Sequence, residues 1–256
     1  MKFLRHIAIL SKPTWTLGLL VSFMMTACSS APTRDTSTPE GAFLAAEDME
    51  KDERYEEAIQ QYSEVKNKHP YSRFATEAEL KIGDLQFTRE SYIDAQGAYQ
   101  LFKEFHPKHP RIDYVTYRLA MSYYNQLPST IDRDLSLAEK AILYFDETIN
   151  SYPTSTHVKE SREKREAALK MLGEKEMYIA SFYLKRKQFD SALKRYEMLI
   201  KTYPNLGFDA AALYGAAKSS FEVGEKERGN QHLKNLYSLY PSSDEAKRAK
   251  DDFGTN

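Results

Sequence analysis

One spacing recurs along this chain and leaves little choice of architecture. An alanine is followed four residues later by an aromatic and twelve residues later by a proline. The four copies are Ala58, Tyr62 and Pro70; Ala95, Tyr99 and Pro107; Ala141, Phe145 and Pro153; and Ala192, Tyr196 and Pro204. A weaker fifth copy, Gly229, Leu233 and Pro241, keeps the same offsets. A small residue lets a neighbouring helix come close, and the aromatic one turn on fills the space beside it. Proline, lacking an N–H, stops the helix. Twelve residues upstream of the small residue stands another, at Ala46, Gly83, Ala180 and Ala217. In the third copy its counterpart is Ala120, and nine extra residues around Gln126–Asp134, with Pro128 and Ser129 among them, predict a long loop between the two helices. With only 10 Gly and 10 Pro in 256 residues and 29% charged residues, the chain favours long helices over a turn-rich β fold. Self-similarity at such a period means stacked units that bury a continuous core between neighbours.

These offsets resemble the second-helix signature of the tetratricopeptide repeat. The predicted fold class is therefore all-α, a superhelical solenoid of five helix hairpins over residues 40–256. The repeats run at about 40–70, 73–107, 112–153, 156–204 and 207–241, with a C-terminal cap over 242–256. Residues Ser155–Leu172 are almost all helix formers and are expected to run into the first helix of the fourth hairpin as one long helix. Ser243–Asp252 suits a short polar cap, which a terminal repeat needs.

The first 27 residues do not belong to that pattern. Lys2, Arg5 and Lys12 are basic, and no acid occurs before Asp35. A short apolar run, Leu17–Met25, ends in Thr26, Ala27 and Cys28. This is the layout of a secretory signal, with an apolar stretch too short to span a bilayer. Met25-Thr26-Ala27-Cys28 resembles the lipobox of bacterial lipoproteins, which implies cleavage before Cys28 and lipidation of its thiol; a plain free thiol is the alternative. Ser29 in place of an acid favours, by the same resemblance, the outer over the inner membrane. Residues 28–39 then read as the lipidated cysteine and a polar tether, whose eleven residues after Cys28 reach at most roughly 36–40 Å. Cleavage removes three of the 36 basic residues and none of the 37 acidic ones, leaving a net charge of -4. That balance disfavours nucleic acid as a partner.

Catalytic chemistry is not evident. One cysteine excludes a disulfide framework. There is no Gly-rich phosphate loop, no Gly-x-Ser-x-Gly and no His-Glu-x-x-His. The one close histidine pair, His106 and His109, sits among prolines in a turn and reads as a solvated or capping turn before it reads as a metal site. Acid runs such as Glu47–Glu53 read as solvated helix faces. The chain is expected to be no enzyme, with no cofactor or metal beyond the covalent lipid on Cys28.

A binding surface remains. In tetratricopeptide repeats the first helices line a groove, and the resemblance places Phe43, Leu80, Phe87, Tyr114, Tyr117 and Tyr124 along it. These large side chains suit an extended, aromatic-rich peptide, since aromatics bury much area at little rotamer cost. The alternative is that they pack on the inserted loop or the next helix. The early groove positions Glu40, Glu47 and Glu50 are acidic, and a basic clamp for a peptide carboxylate is not evident.

The segment His109-Pro-Arg-Ile-Asp-Tyr-Val-Thr-Tyr117, with the lipobox, the tether, the third-repeat insertion carrying Asp132-Arg-Asp134 and the stretch Tyr178-Ile-Ala-Ser-Phe-Tyr183, is similar to the BamD (ComL/YfiO) family of outer-membrane β-barrel assembly lipoproteins. The family usually has leucine where Met25 stands and glycine near Leu119-Ala120. The resemblance implies a lipid-anchored scaffold of the BAM complex on the periplasmic face of the outer membrane. It implies binding to BamA and to other BAM lipoproteins, and reception of unfolded outer-membrane proteins by the N-terminal repeats. Arg195 matches a family arginine that faces BamA; the alternative for it is a solvated helix surface. The other reading of the whole chain is a repeat scaffold for cell-wall synthesis or division.

Overall fold

The computed structural model describes residues 34–254; the leader over 1–27 and Cys28 lie outside the described residues. Among the described residues are eleven helices and no strand. Ten form five hairpins: α1 Pro39–Lys51 with α2 Tyr55–Lys68, α3 Arg73–Thr88 with α4 Tyr92–Phe105, α5 Ile112–Asn125 with α6 Ser136–Ser151, α7 Val158–Lys185 with α8 Phe189–Thr202, and α9 Asp209–Glu222 with α10 Lys226–Leu239. The eleventh, α11 Asp244–Phe253, follows. Packing runs between helices adjacent in sequence, as in a solenoid.

Local chemistry explains the boundaries. Thr38, Ser72 and Ser243 cap α1, α3 and α11, each accepting a backbone N–H three residues on at 3.1 Å, which satisfies a donor left orphaned at the helix start. Helices α2, α4, α6, α8 and α10 all end on the residue before a proline: His69, His106, Tyr152, Tyr203 and Tyr240. Proline crowds that residue out of the helical region. Inside hairpins one, two, four and five the chain turns through a left-handed residue, Glu53, Glu90, Lys187 and Gly224, with φ of 59°, 59°, 60° and 85°. All four stand seven residues beyond the small residue of the first helix, so the turn is one geometry used four times. The third hairpin replaces it with the loop over 126–135.

The core is the repeat signature itself. Ala46, Ala120, Ala180 and Ala217 are fully buried, as are Ala58, Ala95, Ala141 and Ala192 and the aromatics Tyr62, Tyr99 and Phe145.

Two features depart from regularity. Helix α7 runs 28 residues without a break, against 13 to 16 for the other first helices. Its first half packs on α6 and on the inserted loop together. Ala168, Met171 and Leu172 meet Tyr124, Leu127, Ile131, Leu135 and Ala138, and Lys175 Nζ donates to the Arg133 carbonyl at 2.8 Å. The cap α11 is polar only on its outer side. Ala246 and Ala249 are buried and Phe253 packs on Phe221 with ring centroids 4.9 Å apart, while Tyr214 donates to Asp252 at 2.5 Å. No described helix is long and apolar enough to cross a membrane.

Candidate functional site

The first helices of hairpins one and two each carry an acid that receives tyrosine hydroxyls from neighbouring helices. Tyr62, on α2, donates to Glu50 at 2.8 Å, and Lys81 of α3 donates to the same carboxylate at 3.1 Å. One hairpin on, Tyr99 of α4 donates to Asp84 Oδ1 at 2.7 Å. Tyr114 of α5 donates to that same oxygen, also at 2.7 Å. The acids expected to make the early groove negative are thus spent in part on holding hairpins together.

Asp84 is the hub of a larger cluster. Arg118, one turn beyond Tyr114 on α5, lies with its guanidinium carbon 3.6 Å from the centroid of the Phe87 ring. Its Nε donates to the Tyr99 hydroxyl at 3.3 Å. Arg111 stands over the Tyr114 ring at 4.5 Å and 3.9 Å from Asp84. Burial opposes the charge of Arg118, but Tyr99, Tyr114 and Asp84 around it outweigh that and raise its pKa. Burial, then the charge of Asp84, pushes the Tyr114 phenol up to about 12, so at neutral pH it remains a donor. Arg118 makes no ion pair among the described residues, so two arginines share one carboxylate and the cluster keeps a positive excess. An arginine over an aromatic ring that shares its nearest carboxylate with a second arginine is a ready donor site for a further carboxylate.

The six residues expected along the groove do not share one environment. Phe43 is buried against Tyr62 and Phe74. Leu80 is 1% exposed, within the core of hairpins two and three. Tyr117 is buried and stacked on His157 of the following segment, with centroids 4.5 Å apart and planes 9° off parallel. Only Phe87, Tyr114 and Tyr124 are half-buried. Tyr124 lies against Phe145 and below Lys164. For Tyr117 and Tyr124 the cause is α7, whose start at His157 and first half at Lys164 cover what an ordinary repeat would leave open; Phe43 and Leu80 are instead buried between the first three hairpins. The surface left for a ligand is therefore Phe87 and Tyr114 around Arg118, with Tyr124 at its α7 edge.

Arg118 escapes a reading by repeat position. It stands two residues before Ala120, outside the four groove positions of a regular repeat, and its orientation depends on Phe87 and Tyr99 from the preceding hairpin. A cation four residues from a groove tyrosine was the available signal.

Arg195 lies on α8, where its Nη1 donates to Glu176 of α7 at 2.9 Å. The arginine side chain is 40% exposed and the glutamate 18%, so part of the guanidinium faces outward while one edge is held. The histidine turn is accounted for within the chain. His106 Nε2 lies 2.8 Å from Glu79 and His109 Nε2 3.6 Å from Glu77, and both rings pack on Phe102. Among the described residues no group of three or more His, Cys, Asp or Glu is placed to hold a metal.

A family model described as YfiO, outer membrane lipoprotein, matches residues 35–213. Relatives named outer membrane protein assembly factor BamD match from several bacteria. That of Rickettsia prowazekii is 28% identical over 74% of this chain and 75% of its own length. That of Neisseria meningitidis serogroup A is 24% identical over 90% and 91%. That of Caulobacter vibrioides is 25% identical over 70% of this chain but 58% of its own. Among solved structures, the TPR2AB-domain:pHSP90 complex of yeast Sti1 is similar over 84% of each chain at 14% identity, with a TM-score of 0.45.

Proposed function

The chain belongs to the YfiO family of outer membrane lipoproteins, and on that premise we propose that it is a lipid-anchored scaffold that receives unfolded β-barrel proteins and hands them to BamA for insertion into the outer membrane. The anchor is a lipid on Cys28; several acyl chains, at about 0.8 kcal/mol per buried CH₂, hold stably. The tether that follows Cys28 lifts the hairpins off the headgroups; it is shorter than the expected 29–39, because Arg34 is already paired with Asp48 of α1 and Pro39 is the first residue of that helix. Mass spectrometry of the mature N-terminus tests the anchor, and an unmodified thiol at Cys28 sinks it.

The observation that carries the receptor role is Arg118. Its guanidinium lies over Phe87, is bonded to Tyr99 and makes no ion pair among the described residues. A barrel protein still unfolded is an extended chain ending in a carboxylate. A terminal aromatic would lie on Phe87 and Tyr114 while its carboxylate meets Arg118 and Arg111. The test uses a fluorescent synthetic peptide with a C-terminal phenylalanine, in free-acid and amidated forms. A charge-assisted hydrogen bond is worth about 1.5–3 kcal/mol, roughly tenfold to a hundredfold in affinity. The free acid should lose that factor against Arg118→Gln, and the amide should not. Equal losses for both forms, or none, remove the assignment.

BamA contact is assigned to the outward edge of Arg195. Because Glu176 already holds one edge of the guanidinium, the arginine is pre-oriented toward a second carboxylate. Arg195→Glu places a like charge beside Glu176 and should abolish BamA pull-down from detergent extracts; undiminished recovery refutes the contact. The alternative scaffold role is separated by depletion. Loss of an assembly factor lowers many outer-membrane barrels together, whereas loss of a wall or division scaffold alters cell shape with barrels intact.

A further inference from the structure

In a regular stack, each first helix turns one side toward the hairpin before it. The residues two before and two after the small residue lie on that side. In hairpin two these are Lys81, tied to Glu50, and Leu85, buried. In hairpin three they are Arg118, over Phe87, and Ser122, fully buried. In hairpin five they are Gly215 and Ser219, both buried. In hairpin four they are Tyr178 and Phe182, which are 61% and 43% exposed.

The inserted loop and the long helix explain the gap. The first half of α7 takes up the contact with the third hairpin, so the second half, which carries the repeat signature, has no predecessor against its side. Two large aromatics one helical turn apart therefore stand where hairpins two, three and five place small, tied or buried residues. Burial in the repeat does not require them there.

The surroundings are cationic. Arg186, a further turn on, lies 4.8 Å from the Phe182 ring centroid. Lys185 and Lys187 flank it, all three are exposed, and none of the three makes an ion pair among the described residues. At the other end, Lys175 is tied by the Arg133 carbonyl. The cation set is short and the chain as a whole is acidic, which disfavours an anionic membrane as the occupant and favours a segment matched to one helical face.

We propose that the α7 face of Tyr178, Phe182 and Arg186 docks an acidic segment of a partner protein that carries at least one bulky apolar side chain. The apolar residue lies between the two rings, and carboxylates meet Lys185, Arg186 and Lys187. This surface is separate from the Arg118 cluster and does not depend on whether Arg195 touches BamA.

The probe is a fluorescent peptide of alternating Glu and Leu, acetylated and amidated so that it offers no terminal carboxylate to Arg118. Its partner probe replaces Glu by Lys. Binding is followed by anisotropy with the folded mature chain, each variant first checked by circular dichroism. The Glu–Leu probe should bind, weaken as salt rises, and lose about tenfold or more in affinity with Phe182→Ser and with Arg186→Glu. Arg118→Gln should leave it unchanged. Three results overturn the proposal: affinity insensitive to both substitutions, equal binding of the Lys–Leu probe, or loss with Arg118→Gln alone. Two further arms name other occupants. Binding to phosphatidylglycerol vesicles that is lost in both variants while the peptide fails to bind would assign the face to lipid. Self-association by sedimentation lost in the same variants, again without peptide binding, would assign it to a second copy.

Discussion

Gly215 offers a sharp test of the packing account. It lies within α9, a position where alanine is favoured over glycine by about 1 kcal/mol on helix propensity alone. Its face, however, lies against the Tyr196 ring. A Cβ at Gly215 would stand 2.4, 2.5 and 2.7 Å from three atoms of that ring, whereas carbon atoms in good contact sit at about 3.5–4.0 Å. The ring must retreat by roughly 1 Å. It has little room to do so, since Tyr196 is buried in a cluster with Ala180, Ala192, Leu193, Leu199, Ala212 and Ala216. Overpacking of a well-filled core costs about 1–3 kcal/mol, more than the propensity gain at all but its lower end. Gly215→Ala should therefore destabilise by up to about 2 kcal/mol, lowering Tm by up to roughly 8 °C in a domain of this size. Gly97 is the control. It lies in α4 with nothing within 4 Å of where its Cβ would be, so Gly97→Ala should raise stability by about 1 kcal/mol. Thermal and urea unfolding followed by circular dichroism measure both. The decisive comparison is a double-mutant cycle: in a Tyr196→Ala background the ring is gone, and Gly215→Ala should turn neutral or stabilising. Unaltered destabilisation in that background, or a stable Gly215→Ala single variant, would refute the reasoning.

Other expectations are briefer. The left-handed turn residues Glu53, Glu90 and Lys187 carry a conformation that costs a side-chain-bearing residue roughly 1–2 kcal/mol, so each substituted by glycine should gain several tenths to about 1 kcal/mol in urea unfolding, and Gly224→Ala should lose a similar amount. Tyr114 keeps its proton up to about pH 12 in the folded chain against about 10 unfolded. The folded state thus binds more protons between those values, and its stability contribution is full below pH 10 and is lost as pH climbs toward 12; Tyr114→Phe should flatten unfolding free energy against pH in that window. Phe253→Ala should free α11 from Phe221 and Tyr214, at about 1–3 kcal/mol for a half-buried ring, and hydrogen exchange should rise first in α11 and α10.

The fold was legible because repeat physics is local. An alanine, an aromatic and a proline at fixed offsets say where two helices touch and where the second one stops. The structure supplies the touching pair at each place, Tyr99 against Gly83 or Tyr196 against Gly215. The nine-residue insertion and the run of helix formers before Ala180 were equally visible. The site was legible only in part. Phe87, Tyr114 and Tyr124 reach the surface, but Phe43, Leu80 and Tyr117 are core. The sequence cannot say which, because the cover over Tyr117 is His157, forty residues away along the chain.

The hairpins, their order and their ends follow from residue spacing, since each depends on contacts within one period. Tertiary structure alone decided how hairpin four sits against hairpin three, because the inserted loop and α7 meet across 42 residues, from Arg133 to Lys175. That one long-range packing choice covers Tyr117 with His157 and leaves Tyr178 and Phe182 exposed, with no preceding hairpin against them. Local propensity carries no record of it, because its free energy comes from apolar area that exists only once both elements are formed.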